Sequence, residues 1–170
     1  MFRLGLIMVL SLMRPRLSVL GESLVHFRVL PGDLDLNGHM NNARYLWHMD
    51  MGRADLTIRN GMIPALLRRH WMPLVGSAMI TYRRSLRPFQ RYAMRSRVLG
   101  WDEKWFYFHH TFERDGPCAQ GMVKAVFRGA GKNIPPSDVL AELGWQESSP
   151  ALPPNIQQWG DAEAAQRVLD

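Results

Sequence analysis

The chain has 170 residues, 46% of them apolar and 21% charged, which suits one domain with a full core and excludes a disordered or fibrous chain. Its formal net charge of +6 and pI of about 10.1 call for an anionic partner. Nucleic acid is not the expected one, because the arginines are scattered in pairs and no helix-turn-helix, zinc-finger or aromatic RNA-binding signature is present. The single cysteine, Cys118, excludes an internal disulfide and a cysteine-type metal cluster, and a reducing, cytoplasmic setting is expected.

Residues 4–13 are apolar and are flanked by Arg3, Arg14 and Arg16. Ten helical residues rise about 15 Å, half a bilayer core, so this segment does not span a membrane. No small-x-small cleavage site follows it. Two readings stay open: a basic, apolar helix making peripheral membrane contact through residues 1–16, or a helix docked on the domain or its dimer partner.

Residues 24–30 alternate, with Val25, Phe27 and Val29 on one face, and read as a half-buried strand ended by Pro31-Gly32. Next comes the densest polar run of the chain, from Asp33 to Asn42. It gathers Asp33, Asp35, Asn37, His39, Asn41 and Asn42 around Gly38. So many polar groups between a strand and an apolar helix are costly to desolvate without partners, which marks a working site. Asn41 or Asn42 caps the following helix, expected over 43–59. Tyr45, Met49, Gly52 and Leu56 line its apolar side; Arg44, His48, Asp55 and Arg59 collect on a narrower polar side. Gly61 stops it, and a short second helix follows over 63–70.

Strands are expected at 75–84, 93–101, 104–114 and 118–128, with Gly129 to Gly131 ending the sheet. A helix over 136–143, a mobile Pro/Ser/Gln-rich stretch over 145–159 and a weak helix over 161–169 complete the chain. The sequence thus divides into a 1–21 N-terminal segment, a 22–131 domain and a 132–170 C-terminal extension. The fold class is α+β, a five-stranded antiparallel sheet wrapped around one long helix.

That order, together with the run from Asp35 to Tyr45, resembles the hot-dog-fold thioesterases. The 4-hydroxybenzoyl-CoA thioesterase-like branch carries an Asp shortly before the central helix, and the plant acyl-ACP thioesterases carry Asp-x-Asn-x-His-Val-Asn-Asn-x-x-Tyr. This chain satisfies both, with Met40 in place of the Val. The run from Tyr82 to Phe89 and the Trp105-Phe106-Tyr107 triplet also look like bacterial members of this superfamily. The resemblance covers roughly residues 22–130 and implies hydrolysis of acyl-CoA or acyl-ACP thioesters, with no cofactor beyond the coenzyme A of the substrate. It also implies a homodimer or a dimer of dimers, since related proteins place substrate between paired subunits. The rival reading is a non-catalytic acyl-thioester or lipid-binding protein of the same fold.

Thioester hydrolysis needs a base or nucleophile and a positive pole for the developing oxyanion. Asp35 supplies the first, either by deprotonating water or by forming an acyl-enzyme anhydride. The helix start supplies the second through the backbone N–H of Asn42, where related enzymes place this donor. The plant-type resemblance makes Asn37 and His39 catalytic; the CoA branch does without them, leaving Asn37 as a turn residue and His39 as a loop-shaping one. Asp33 reads as a turn or cap residue, and Asp50 as an ion-pair partner of Arg53 or Arg44. Tyr45, Arg83, Arg84, Arg87 and Lys132 are the expected substrate-binding residues, the basic ones for phosphate. His109 and His110 point to opposite faces of a strand, and no metal site is read.

Overall fold

The structure, a computed structural model, describes residues 2–166. Its elements are α1 (Phe2–Met13), β1 (Glu22–Arg28), α2 (Asn42–Arg59), α3 (Met62–Arg69), β2 (Met72–Tyr82), β3 (Arg91–Trp101), β4 (Phe106–Glu113), β5 (Pro117–Gly129), β6 (Lys132–Ile134), α4 (Pro136–Glu142) and α5 (Pro154–Gln166). The strands form one antiparallel sheet in the order β1-β3-β4-β5-β2, with β6 added beside β5. The glycines at 129–131 therefore do not end the sheet. Gly131, at φ 78°, turns the chain back so that Lys132 pairs with Gly129.

The sheet curls around α2. Phe106, Phe108 and Phe112 of β4, with Val123, Ala125 and Phe127 of β5, meet Tyr45, Met49 and Leu56 of the helix in one apolar core. Helix and sheet approach closely at Gly52, where a Cβ would lie 2.4 Å from Ser96 Oγ of β3. A bulge between Val75 and Ser77 of β2 extrudes Gly76, whose missing side chain leaves room for the Trp105 ring.

The polar side of α2 is not solvated. His48, Asp55 and Arg59 are buried, because α1 lies across them. Asp55 accepts hydrogen bonds from Ser11 (2.8 Å), Arg14 (2.9 Å), Ser23 (2.6 Å) and Arg59 (3.0 Å). Burial alone would raise the Asp55 pKa, but these hydrogen bonds and the Arg14 charge outweigh it and hold the carboxyl below its usual range. Of the two readings of residues 4–13, docking on the domain is thus realised by the polar line of the helix.

The C-terminal region is also more ordered than its composition suggests. Ser149 Oγ accepts the Trp101 N–H at 2.8 Å, which straps the 145–153 stretch to the end of β3. Helix α5 begins at Pro154, seven residues before the expected 161, and the expected residues 167–169 lie outside the described residues. Ile156 and Trp159 pack on Tyr107 and Met122 of the outer sheet face. Lys124 sits 5.0 Å from the Trp105 ring and 5.5 Å from the Trp159 ring and pairs with Glu163, which fixes α5 there.

Candidate active site

The polar run folds into a small hairpin closed onto the start of α2. Leu34 bridges Met40, and the Asp35 N–H donates to the His39 carbonyl at 2.9 Å. Gly38, at φ 73°, takes the left-handed position that lets the turn close, with its N–H on the Asp35 carbonyl at 3.1 Å. The carboxylate of Asp35 is part of this architecture. Its Oδ1 accepts the Asn37 N–H at 2.8 Å and lies 3.4 Å from the His39 N–H, while Oδ2 has no partner among the described residues. Asp35 and His39 are half-buried and Asn37 is exposed.

Four further contacts fix this loop. The Asp33 carboxylate is buried, accepting from the Leu30 N–H at 2.9 Å and from Arg3 at 2.8 Å. The Asp33 carbonyl accepts the Asn41 N–H at 2.8 Å, and Arg44 donates to the Gly32 carbonyl at 2.7 Å. Behind it, His48 donates from Nδ1 to the Arg44 carbonyl at 2.7 Å, so the network assigns Nε2 as the acceptor facing Arg3 at 3.3 Å. Burial pushes the His48 pKa down to about 4, against the opposing pull of the Arg44 carbonyl and Asp33.

Asn41, not Asn42, is the helix cap: its Oδ1 accepts the Ala43 N–H at 2.8 Å and its carbonyl accepts the Arg44 N–H at 2.9 Å. The Asn42 N–H, first in the helix, has no partner among the described residues. It is therefore the free donor at the positive end of the α2 dipole. The Asn42 carbonyl accepts from the Tyr82 hydroxyl at 3.2 Å.

From that contact a trough runs between α2 and β2. Tyr82, Ile80, Ala78, Val75 and Pro73 share the β2 face that carries their partners on β5 toward the helix. At the far end lies a cavity of about 190 Å³ lined mainly by apolar groups, including Leu66, Leu74, Phe108 and Phe127, with Asp50 and Arg53 also in its wall. Asp50 pairs with Arg53.

The remaining expected site residues are dispersed. Tyr45 is 2% exposed, its hydroxyl 3.4 Å from the Leu86 N–H and its ring edge-on to Tyr82 and Phe112. Arg84 clamps the β4–β5 turn, donating to the carbonyls of Arg114, Asp115 and Gly116 at 2.6–3.0 Å. Arg83 and Arg87 are exposed near it, at the Ala119 end of β5. Lys132 pairs with Gly129 at the other end, about 33 Å away along the strand. One bound molecule on one chain does not reach both groups. His110 faces α2, its Nδ1 2.8 Å from Ser96 Oγ and its Nε2 buried without a partner, whereas His109 faces outward.

The profile of the thioesterase-like superfamily matches residues 29–160. The chain belongs to the thioesterase-like superfamily. It is 40% identical over 124 residues to Protein THEM6 of Danio rerio, a stretch covering 71% of this chain and 61% of that protein. Among solved structures it resembles the probable thioesterase YbaW of Escherichia coli, at a TM-score of 0.66 and 20% identity over 71% of this chain and 96% of that one. It also resembles BH1999, a gentisyl-coenzyme A thioesterase, at a TM-score of 0.62 and 21% identity over 69% of this chain and 98% of that one. The fold is the hot-dog fold. The chain spans between 50% and 64% of the length of the curated relatives it matches, 61% and 63% for the first two.

In this superfamily member the sequence reading overlooked Tyr82 and the Arg3–Asp33–His48 cluster. Tyr82 closes a β2 face otherwise made of small and aliphatic residues, which is the one signal that marked it. Arg3 meets Asp33 across 30 residues of chain and His48 across 45, and no local pattern reports such a pairing.

Proposed function

We propose that this chain hydrolyses acyl-thioesters of coenzyme A or acyl carrier protein, using Asp35 as base or nucleophile and the Asn42 N–H as oxyanion donor. The observation that carries this is a half-free carboxylate in the loop that leads into α2, together with an Asn42 N–H that has no partner among the described residues, at the mouth of an apolar trough. The family, and the action of BH1999 on a coenzyme A thioester, support the same reading.

In the base route, Asp35 takes a proton from water as the water oxygen attacks the thioester carbon. In the nucleophile route, an Asp35 oxygen attacks and water then cleaves the anhydride. Both develop negative charge on the carbonyl oxygen, and both end with the C–S bond broken and the carrier released as thiol. A preorganised donor such as the Asn42 N–H lowers such a barrier by about 3 kcal/mol. His39 orients the attacking water from the same turn.

The trough is open along β2, an 11-residue edge strand exposed on both faces, with Met72, Leu74, Val75, Met79 and Tyr82 among its uncovered side chains. A long apolar edge of this kind needs a cover. A second copy of the chain pairing along β2 provides it and roofs the trough, leaving Arg83 and Arg87 at the rim for carrier phosphates.

A screen of acyl-CoAs of graded length, read by release of free thiol, tests the proposal. Turnover that saturates with substrate is expected. Saturable binding without thiol release would favour a non-catalytic acyl-thioester binder.

A further inference from the structure

Helix α1 is built inside out. Its inward side, beside the half-buried Leu4 and Ile7, carries polar groups: Arg3 and Ser11, with Arg14 just past its end, reach Asp33 and Asp55. Its outward positions 5, 6, 8, 9, 10, 12 and 13 are all exposed and carry no polar side chain. Leu12 is 73% and Met13 81% exposed, and Leu6, Met8, Val9 and Leu10 lie between 43% and 58%. A helix in water turns the opposite faces to solvent and core. The charges complete the pattern. Both acids that α1 contacts are buried and paired, while Arg16 and Arg28 stand exposed at its two ends and Arg14 keeps a third of its side chain in solvent. The arginine at the N-terminal end is placed there by Arg3, which donates to the Arg28 carbonyl at 3.3 Å.

We infer that α1 is a docking face for an anionic lipid surface, lying flat with its apolar side in the headgroup–acyl boundary and the arginines at phosphate level. No described helix is long and apolar enough to cross a membrane, and α1 at 12 residues is about 18 Å long. A second copy of the chain is the poorer occupant. The outward strip is about 18 Å by 10 Å, well short of the roughly 800 Å² per partner of a specific protein interface. The geometry leaves room for both assemblies, because α1 lies on the β1 side of the sheet, where Arg14 donates to the Leu24 carbonyl, and β2 is the opposite edge. The Arg3–Asp33 pair joins this face to the loop that carries Asp35, so the trough is held at a fixed orientation to the lipid.

Sedimentation of the full chain with vesicles tests this. One set is phosphatidylcholine alone; the other is equal parts phosphatidylcholine and phosphatidylglycerol. The chain should pellet with the anionic vesicles and much less with the neutral ones, and binding should fall with salt. Val9→Glu with Leu12→Glu, at exposed positions outside the Asp55 network, should weaken it at least about tenfold. Melting temperature and light-scattering mass should stay unchanged, which separates lost binding from lost folding. Wild type left in the supernatant with anionic vesicles would overturn the inference. So would equal binding by the double variant, or a double variant whose only change is a smaller assembly, which would make α1 a contact between copies.

Discussion

The Tyr82 hydroxyl donates to the Asn42 carbonyl across 3.2 Å, joining the last residue of the exposed edge strand β2 to the first residue of α2. The free N–H belongs to the same residue, in the preceding peptide group, so a bond that holds Asn42 also steadies the donor that the proposed chemistry uses. Tyr82→Phe keeps the ring packed on Tyr45 and removes only the hydroxyl. One neutral hydrogen bond contributes about 1 kcal/mol. The variant should fold normally and lose about fivefold in kcat, read as thiol release under saturating substrate. An unchanged kcat would detach Tyr82 from the site.

Asp55 holds α1 to α2. Asp55→Asn leaves Arg59 buried beside a neutral amide and Arg14 without its charge partner. Removing one member of a buried ion pair costs about 3 kcal/mol or more. Urea unfolding should show an unfolding free energy lowered by that amount. A loss below about 1 kcal/mol would mean that α1 is held by its apolar contacts instead.

The His48 imidazole gives stability a defined pH dependence. Its pKa is about 4 in the folded chain, against 6.5 for a free histidine. Between those values the unfolded chain binds more protons, so stability rises with pH across the window. The contribution is complete above pH 6.5 and is lost as pH falls toward 4, amounting to about 3 kcal/mol. Buried His110, whose pKa is also pushed down by desolvation and by Arg53, acts in the same direction. Urea midpoints at a series of pH values from 7 to 4 should fall steadily, and His48→Gln should flatten part of the slope, the His110 part remaining.

Ionic strength separates the two ends of the substrate. Contacts from Arg83 and Arg87 to carrier phosphates are exposed and screened by salt. The KM for an acyl-CoA should therefore rise with salt while kcat changes little, and Arg83→Ala should weaken the salt dependence. A salt-independent KM would place the binding energy in the trough. Arg84 is a poor test, because its guanidinium already fills three turn carbonyls.

Much of this was legible in the sequence, and the reason is periodicity. The alternation of Val25, Phe27 and Val29 marks β1, and the helical spacing from Tyr45 to Leu56 marks α2 within a residue of its observed ends. The density of polar residues from Asp33 to Asn42 marks the loop, whose carboxylate and helix cap lie where their residue types allow. What was not legible depends on contacts between distant segments. The polar stripe Arg44, His48, Asp55 and Arg59 reads only as a narrower polar side until the N-terminal segment is known to supply Arg3, Ser11 and Arg14. Arg83 and Lys132 read as one phosphate-binding set until the strand order puts them at opposite ends of β5. The region after residue 145 reads as mobile because its order comes from Ser149 on Trp101 and from Trp159 beside Lys124, not from its own composition.

The central claim rests on the Asp35 carboxylate, and Asp35→Asn tests it most directly. An asparagine side chain keeps an oxygen for the Asn37 N–H at the turn, so the loop and the melting temperature should be preserved. Turnover of the best acyl-CoA should drop by at least about a thousandfold, with KM changed little, because base or nucleophile is lost while substrate contacts remain. Equal turnover by the folded variant and the wild type would contradict the account and move the chemistry away from this loop.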